Sequence, residues 1–428
     1  MAAARKPLLR IPYTDVFAAP RIVPRNATTP AAAVAALGAF MTAPPPDGLP
    51  PSTVVLTGAG LSVASGLADY RGDNGTYRIN KTYRPIYFHE FLASHEARKR
   101  YWARSFLGWT TLHKALPNTS HYALRDLGRL GYVQSVITQN VDSFHHAAHS
   151  DVPSTVELHG YLRATVCTTC GNEYDRDVFQ SELSRLNPAW AAFLEEAIAA
   201  GAFETKTDPT TGAPAARSPV TLSKMRGIRT NPDGDVDLPN APYTTFRYPP
   251  CEHCLTHPFV AEDGTKLMVE VDQDGAWQLP RQISATDSGA KVKCPGILKP
   301  AVIMFGESIS PAVKQAAEEA IDGAGRLLVL ATSLATYSAW RLAKRAKDRG
   351  MPIAIVNMGG VRGEDIFFAE LDDQQPGNEG VRVSMPTDIV LPPLVEELHR
   401  IAPRGVYDKG SALGAGQVDP ALFRDMLS

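Results

Sequence analysis

The chain has 428 residues, 44% of them apolar and 21% charged, with a formal net charge of −2; this is the composition of a folded globular protein. So balanced a charge gives no electrostatic reason to bind nucleic acid, and no apolar run approaches the roughly 20 residues needed to cross a bilayer. Five cysteines, four of them in two C-x-x-C pairs, favour a reduced compartment and a bound metal over disulfides.

The first 30 residues set Arg5, Lys6, Arg10, Arg21 and Arg25 against a single acid, Asp15. Arginine-rich and acid-poor is the composition of a mitochondrial transit peptide, with a plain basic arm as the alternative. Thr29-Pro30 is a helix start, Thr as N-cap and Pro at the first helical position. Val34, Leu37 and Met41 then mark one face, and the proline-rich linker Pro44–Pro51 ends the helix. Thr53–Leu56 reads as a short buried strand. It runs into Gly58-Ala59-Gly60, where the backbone must turn and something must come close. Phosphate-cradling loops look like this, but Val63 stands where a dinucleotide fingerprint has its third glycine. Alone, these glycines fit a nucleotide loop and a plain tight turn equally.

Further along, Tyr87–Leu107 has helical character, and Asn118–Leu130 is a second helix capped by Asn118 or Thr119. Val133–Ile137 and Thr155–Leu158 read as strands. Between Thr168 and Lys293 the alternation of strand and helix breaks. That stretch holds both C-x-x-C pairs, a helix at Pro188–Ala199, a surface loop near Asp208–Pro219 and a hairpin around Asp274-Gly275. The alternation then resumes: strand Ala301–Phe305, helix Pro311–Ile321 capped by Ser310, strand Leu327–Leu330, helix Ala339–Arg349 and strand Ile353–Val356. Strands alternating with helices predict an α/β fold, a Rossmann-like open parallel sheet with ligands at the carboxyl ends of its strands. Five segments follow: an arm, entry helix and linker (1–51), a first Rossmann-like part (52–166), an inserted smaller lobe (167–294), a second Rossmann-like part (295–403) and a tail (404–428).

Four motifs occur in order: TVVLTGAGLSVASGLADYRG at Thr53–Gly72, TQNVD at Thr138–Asp142, ELHG at Glu157–Gly160 and LKPAVIMFGE at Leu298–Glu307. Together they resemble the sirtuins, whose cofactor loop is close to GAGxSxxSGIPDFRG. Leu67, Ala68 and Tyr70 depart from that pattern, and Tyr70 keeps the aromatic ring. The resemblance implies an NAD-dependent deacylase acting on acylated-lysine protein substrates. It implies NAD contacts from Gly58, Ala59, Gly60, Ser62, Asp69, Tyr70 and Arg71, from Gln139, Asn140 and Asp142, and from two later loops. Those loops are Thr332-Ser333, preceded by Ala331 where the family carries glycine, and Asn357-Met358-Gly359. His159 corresponds to the family's general base, a task that suits an imidazole, with Asn140 beside it; a lone histidine is otherwise more often structural. Leu298–Glu307, with Ile303 and Phe305, should offer an edge to an extended substrate peptide.

Cys167, Cys170, Cys251 and Cys254 have the ligand type and pair spacing of a structural zinc site. The 80-residue gap between the pairs is far wider than usual, and four reduced thiols are the alternative. The family carries a zinc module directly after its histidine, which implies zinc here. Cys294 is left over. His145, His146 and His149 cluster as metal ligands would, but the family uses no metal there. YWARSFLGW at Tyr101–Trp109 and LNPAW at Leu186–Trp190 resemble the class II, mitochondrial branch. A Tyr-x-x-Arg pair like Tyr101 and Arg104 implies an acyl pocket for acidic or long chains; a packing pair is the alternative. The same NAD site would also serve protein mono-ADP-ribosyl transfer, and the long inserted lobe a non-catalytic scaffold.

Overall fold

The computed structural model describes residues 17–401 apart from 81–82, 150–151, 201–228, 239, 261–263, 265 and 281–293. The loop expected near 208–219 and the tail from 404 lie outside the described residues. So do Arg5, Lys6, Arg10 and Asp15.

Short apolar runs make the main sheet. Its six strands are β1 (Thr53–Thr57), β2 (Val133–Thr138), β3 (Ser154–Glu157), β7 (Arg326–Leu330), β8 (Ile353–Val356) and β9 (Gly380–Val383). All pair in parallel, in the order β9-β8-β7-β1-β2-β3. Every residue of β1, β7 and β8 is buried, as continuous apolar strands covered on both faces must be. Helices Pro30–Thr42, Thr119–Arg129 and Thr387–Ile401 cover one face, and Pro311–Asp322 and Tyr337–Asp348 the other. From β1 the chain builds outward through β2 and β3 on one side, then returns to build β7, β8 and β9 on the other. The strand order therefore reverses between β1 and β7, which is where open α/β sheets bind ligands.

Helix ends follow the local capping residues. Thr29 caps Pro30–Thr42, Asn118 caps Thr119–Arg129 and Ser310 caps Pro311–Asp322, each side-chain oxygen accepting a first-turn N–H. The helical stretch after the glycine loop is split. Ser94 ends Phe88–Ala93 and caps the long helix His95–Lys114.

A second core builds the smaller lobe, where Trp102 and Phe106 of that long helix pack with Phe179, Trp190, Phe246 and Trp277. It contains a three-stranded antiparallel sheet of β4 (Gly160–Cys167), β5 (Glu173–Asp175) and β6 (Leu298–Val302), in the order β6-β4-β5. The strand expected at Ala301–Phe305 thus begins three residues earlier and belongs to this lobe, not to the parallel sheet. Its partner is the reason: β4 pairs Leu298 through Val302, with a register shift after Pro300, whose missing N–H cannot serve a regular ladder. The helix Pro188–Ala199 and the hairpin Glu270–Val271/Trp277–Gln278 lie where the sequence puts them. β9 and the helix Thr387–Ile401 were not foreseen.

At the amino terminus, Val23 bridges Arg382 of β9. Arg21 bonds Asp373 (Nε to Oδ1, 2.8 Å) and the carbonyls of Phe368 and Leu371. One of the arginines that gave the arm its leader-like composition is thus tied into the folded domain. Among the described residues no helix is long and apolar enough to cross a membrane.

Candidate active site

At the carboxyl ends of β1, β2 and β7 lies a cavity of about 1090 Å³. It is lined by the glycine loop, by Gln139–Asp142, by His159 and by the loops at 331–338 and 356–360. Ile303 and Phe305, and Tyr101 and Arg104, line the same cavity.

Neither glycine of Gly58-Ala59-Gly60 has positive φ; Gly58 is extended (φ −141°, ψ −175°). What requires them is crowding. A Cβ on Gly58 would lie 2.6 Å from Thr332 Cβ, and one on Gly60 would lie 2.9 Å from the Ala331 carbonyl oxygen. The close visitor is therefore the loop after β7. Ala331, where the resembling family has glycine, takes a left-handed backbone with φ 51°. The path a glycine would follow is kept at the cost of side-chain strain.

The polar side chains form a braced set. Ser62 Oγ donates to Asp142 Oδ2 (2.6 Å) and accepts from Asn140 Nδ2 (3.2 Å). Burial raises the Asp142 pKa to about 6 against the hydrogen bonds from Ser62 and the Phe144 N–H. Gln139 donates from Nε2 to the Thr57 carbonyl (3.1 Å) and Thr332 Oγ1 (2.9 Å), and its Oε1 accepts from Thr336 (2.9 Å). Its amide therefore ties β1, β2 and the loop after β7 together, where the sequence suggested a ligand contact. Asp69 accepts the Gly72 N–H (2.8 Å) and closes the turn. Tyr70 stacks on Tyr77 at 5.4 Å, and the Arg71 guanidinium lies over the Tyr77 ring. In the adenosine-side loops, Thr332 is held by Gln139, Ser333 O accepts the Arg362 N–H, and Asn357 Nδ2 donates to Gly359 O at 2.8 Å. Met358 is 60% exposed.

His159 sits where β3 gives way to β4. Its Nδ1 lies 3.1 Å from the Gln139 carbonyl oxygen and its Nε2 2.8 Å from Ser338 Oγ. A carbonyl only accepts, so Nδ1 carries the proton and Nε2 presents a lone pair, here accepting from Ser338. Burial depresses the imidazole to about 4, outweighing the Gln139 bond that favours its charge. The ring is neutral near pH 7 and able to take a proton. Ser338 was not foreseen; nothing local marks a serine in the first turn of a helix as the partner of a histidine 179 positions away.

Next to the site, β6 is the outer strand of its sheet. Ile303 N–H donates to the His159 carbonyl (2.8 Å), and the Phe88 N–H to the Phe305 carbonyl (2.9 Å). Lys299 is buried and reaches Glu307 at 3.2 Å, fixing the turn that carries Phe305.

The Sγ atoms of Cys167, Cys170, Cys251 and Cys254 all lie within 4.8 Å of one another, with Cys167–Cys254 at 3.7 Å and Cys170–Cys251 at 3.6 Å. Tetrahedral Zn–S bonds of about 2.3 Å place sulfurs about 3.8 Å apart, so the four thiols fit zinc. The donor set is closed, which suits a structural ion. His145 and His149 do share a face, Nδ1 to Nε2 at 3.1 Å, but their other neighbours are Thr57 (Oγ1, 3.0 Å) and the His121 ring. These three histidines pack on one another beside Thr57 at the end of β1, His146 is exposed, and among the described residues the cysteines alone form a metal-type cluster.

A family model described as Sir2 family matches residues 58–222. The chain is 35% identical over 318 residues to the NAD-dependent protein deacylase SIR4 of Batrachochytrium dendrobatidis, covering 73% of this chain and 83% of that one. It is 35% identical over 313 residues to the NAD-dependent protein deacylase SRT2 of Arabidopsis thaliana, covering 73% and 67%. It is 29% identical over 321 residues to the NAD-dependent protein lipoamidase sirtuin-4, mitochondrial, of Bos taurus, covering 75% and 78%. With the glycine loop, the histidine and the cysteine tetrad in one fold, these matches give the chain its family: it belongs to the Sir2 family.

Proposed function

We propose that this protein is an NAD-dependent protein-lysine deacylase. The observation that carries the reading is His159: a neutral imidazole whose Nδ1–H is fixed on the Gln139 carbonyl and whose Nε2 faces the cavity at the point where strand order reverses. The deacylase and lipoamidase names of the relatives support it.

In this reading NAD, when bound, supplies an activated ribose carbon that accepts the acyl oxygen and gives up nicotinamide. Gly58, Ala59, Gly60 and Ser62 hold the cofactor with Asp69, Tyr70 and Arg71. Asn140 and Asp142 orient it through the Ser62 network, and the loops at Thr332-Ser333 and Asn357–Gly359 take its adenosine side. With its proton fixed on Nδ1 by the Gln139 carbonyl, His159 would take up a hydroxyl proton at Nε2, the atom that here accepts from Ser338. The substrate peptide runs along the outer edge of β6 by strand addition, beside Ile303 and Phe305. The zinc is structural and stiffens the smaller lobe. Within 52–166 and 295–403 the parallel sheet and its helices form the cofactor domain, while the helix His95–Lys114, β4 and β6 join 167–294 in the zinc lobe. Location in mitochondria is part of the proposal, supported by the arginine-rich start and by the printed name of the bovine relative.

The test is His159→Ala beside Ser338→Ala. His159→Ala should keep NAD affinity within about threefold and lose at least about 100-fold in kcat, the contribution of a positioned general base. Ser338→Ala should remain active. Full turnover in His159→Ala would end the reading.

A further inference from the structure

The part of the cavity around Tyr101 and Arg104 holds residues that no sequence motif assigns. Aromatic contacts run from Tyr70 to Tyr77 (5.4 Å) and from Tyr77 to Tyr83 (5.8 Å), and the Arg104 guanidinium lies 5.9 Å over the Tyr83 ring. At the end of this run a turn from the inserted lobe enters. It is the hairpin Arg229–Thr230/Val236–Asp237, closed by Asn231 N–H to Asp235 O (2.9 Å) and Gly234 N–H to Asn231 O (3.0 Å). The turn is seated on the helix that carries Tyr101 and Arg104. A Cβ on Gly108 of that helix would lie 1.7 Å from the Gly234 carbonyl oxygen, so only glycine admits it there.

Docked in this way, the turn supplies two acids. Asp235 Oδ2 lies 2.6 Å from Arg104 Nη2, with the two side chains only 9% and 2% exposed. The contact is an ion pair by distance, though Nη2 lacks hydrogen-bond geometry toward any partner. Asp235 Oδ1 accepts from Asn231 Nδ2 at 2.6 Å. The guanidinium charge that a lone Tyr-x-x-Arg pair would offer to a carboxylate is thus already countered. Asp233 precedes Asp235 on the same turn and lines the cavity. Burial, then the neighbouring Asp235, push its carboxyl well above the usual range.

Among the described residues, the buried side-chain atoms Arg104 Nε and Nη2, Tyr83 Oη and Asp233 Oδ1 have no hydrogen-bond partner. Arg104 is 2% and Tyr83 8% exposed, and buried polar atoms left unpaired are costly. Both residues line the cavity, so a bound group can satisfy them. Arg104 Nε is a donor, Tyr83 Oη donates or accepts, and Asp233 provides a carboxyl oxygen. The combined charge of Arg104 and Asp235 is zero, and Asp233, held toward its neutral form, adds no positive charge.

We propose that this subsite takes a lysine acyl chain ending in an uncharged group that both donates and accepts hydrogen bonds, such as a carboxamide or ureide. It discriminates against a terminal carboxylate, and Asp235 is the residue that sets this specificity. The proposal rests on the deacylase reading and departs from the acidic preference that Tyr101 and Arg104 suggest by themselves. A carboxylate here would meet Asp235, whose charge already cancels that of Arg104, with no surplus positive charge to hold it, and like charges so placed are strongly unfavourable.

The experiment uses a matched pair of peptides, one carrying glutaryl-lysine and the other its terminal carboxamide, identical in length and shape. For each, kcat/KM is measured with NAD, and Kd by calorimetry. In the unaltered protein the carboxamide should be favoured at least tenfold in both, equal to about 1.4 kcal/mol of discrimination. Asp235→Asn, which releases the Arg104 charge, should shift the ratio at least tenfold toward glutaryl. Gly108→Ala, which unseats the turn, should shift it the same way. Glutaryl favoured in the unaltered protein, or a ratio that Asp235→Asn does not move, would overturn the proposal while leaving deacylation intact. A carboxamide preference in Kd with neither peptide turned over would support the subsite and remove the deacylase reading. No binding and no turnover of either peptide would overturn both.

Discussion

Replacing Gly58 by alanine tests the packing that builds the cofactor loop. The backbone there is extended (φ −141°), which any residue adopts, so alanine brings no conformational strain and the effect is purely steric. Its Cβ would stand 2.6 Å from Thr332 Cβ, 2.9 Å from Thr332 Oγ1 and 3.1 Å from the Ala331 carbonyl oxygen. Carbon atoms rest about 3.5 Å apart or more, so Thr332 must retreat by roughly 1 Å. A Cβ is anchored to backbone and no rotamer change relieves the clash. The retreat breaks the Gln139 Nε2–Thr332 Oγ1 bond (2.9 Å) and disturbs Leu334 N–H to Thr332 Oγ1 (3.2 Å). Overpacking costs about 1–3 kcal/mol and a lost hydrogen bond about 1 kcal/mol, so Gly58→Ala should destabilise by about 2–4 kcal/mol. Gly359→Ala is the control, because a Cβ there meets nothing within 4 Å. The assay is urea unfolding without ligand, reading the midpoint at unchanged slope, with NAD affinity by calorimetry on both variants. Gly58→Ala should unfold earlier and bind NAD weakly, while Gly359→Ala should unfold like the parent. Equal midpoints for the two variants would refute the packing of the loop after β7 against the glycine loop.

Three further outcomes follow from the same structure. Ala331→Gly removes a left-handed alanine (φ 51°) and should stabilise the fold by about 1 kcal/mol, read as a higher urea midpoint; a lower midpoint would contradict the strain. Cys254→Ser should lower bound zinc from one ion per chain and destabilise the smaller lobe, read by elemental analysis and limited proteolysis; an unchanged zinc content would remove the tetrad as its site. Burial lowers the His121 pKa to about 3, whereas in the unfolded chain it lies near 6.5. Below pH 6.5 the unfolded state therefore binds a proton that the folded state refuses, and stability falls as pH falls. Between pH 6.5 and 5 this group alone takes away about 2 kcal/mol. Asp142, raised to about 6, works in the opposite sense, since its stabilising contribution is complete below pH 4 and is lost as pH rises through 6. His121→Gln should flatten the acid side of the stability curve relative to the parent, and an identical curve would contradict the buried neutral histidine.

Legibility from sequence followed the range of the interactions. β1 and β8 could be read because both faces are covered, so that β8 is uniformly apolar and β1 is apolar between its two terminal threonines. Capping residues sit next to what they cap, so Thr29, Asn118 and Ser310 gave their helix starts directly. β9 escaped because its Arg382 interrupts the apolar pattern. That guanidinium is wholly buried on the neighbouring Val383 carbonyl and, 18 to 25 residues back along the chain, on Glu364 (Nε to Oε1, 2.7 Å) and the carbonyls of Asn357 and Gly359, which no short window contains. At the site, the glycine loop, the histidine and the cysteine pairs are contiguous motifs and were visible. Ser338 and the Asp233–Asp235 turn were not, because tertiary packing alone brings them to His159 and Arg104. The same distinction explains Gln139: the motif marks it, but only its three partners show that its amide braces strands.

The most direct test of the central claim is mass spectrometry of the products formed from NAD and an acylated-lysine peptide by the purified full-length chain. Deacylation yields free nicotinamide, deacylated peptide and ADP-ribose carrying the acyl group, in equal amounts, all absent with His159→Ala. Unchanged peptide with NAD bound, or ADP-ribose attached to protein in place of acyl-ADP-ribose, would contradict it.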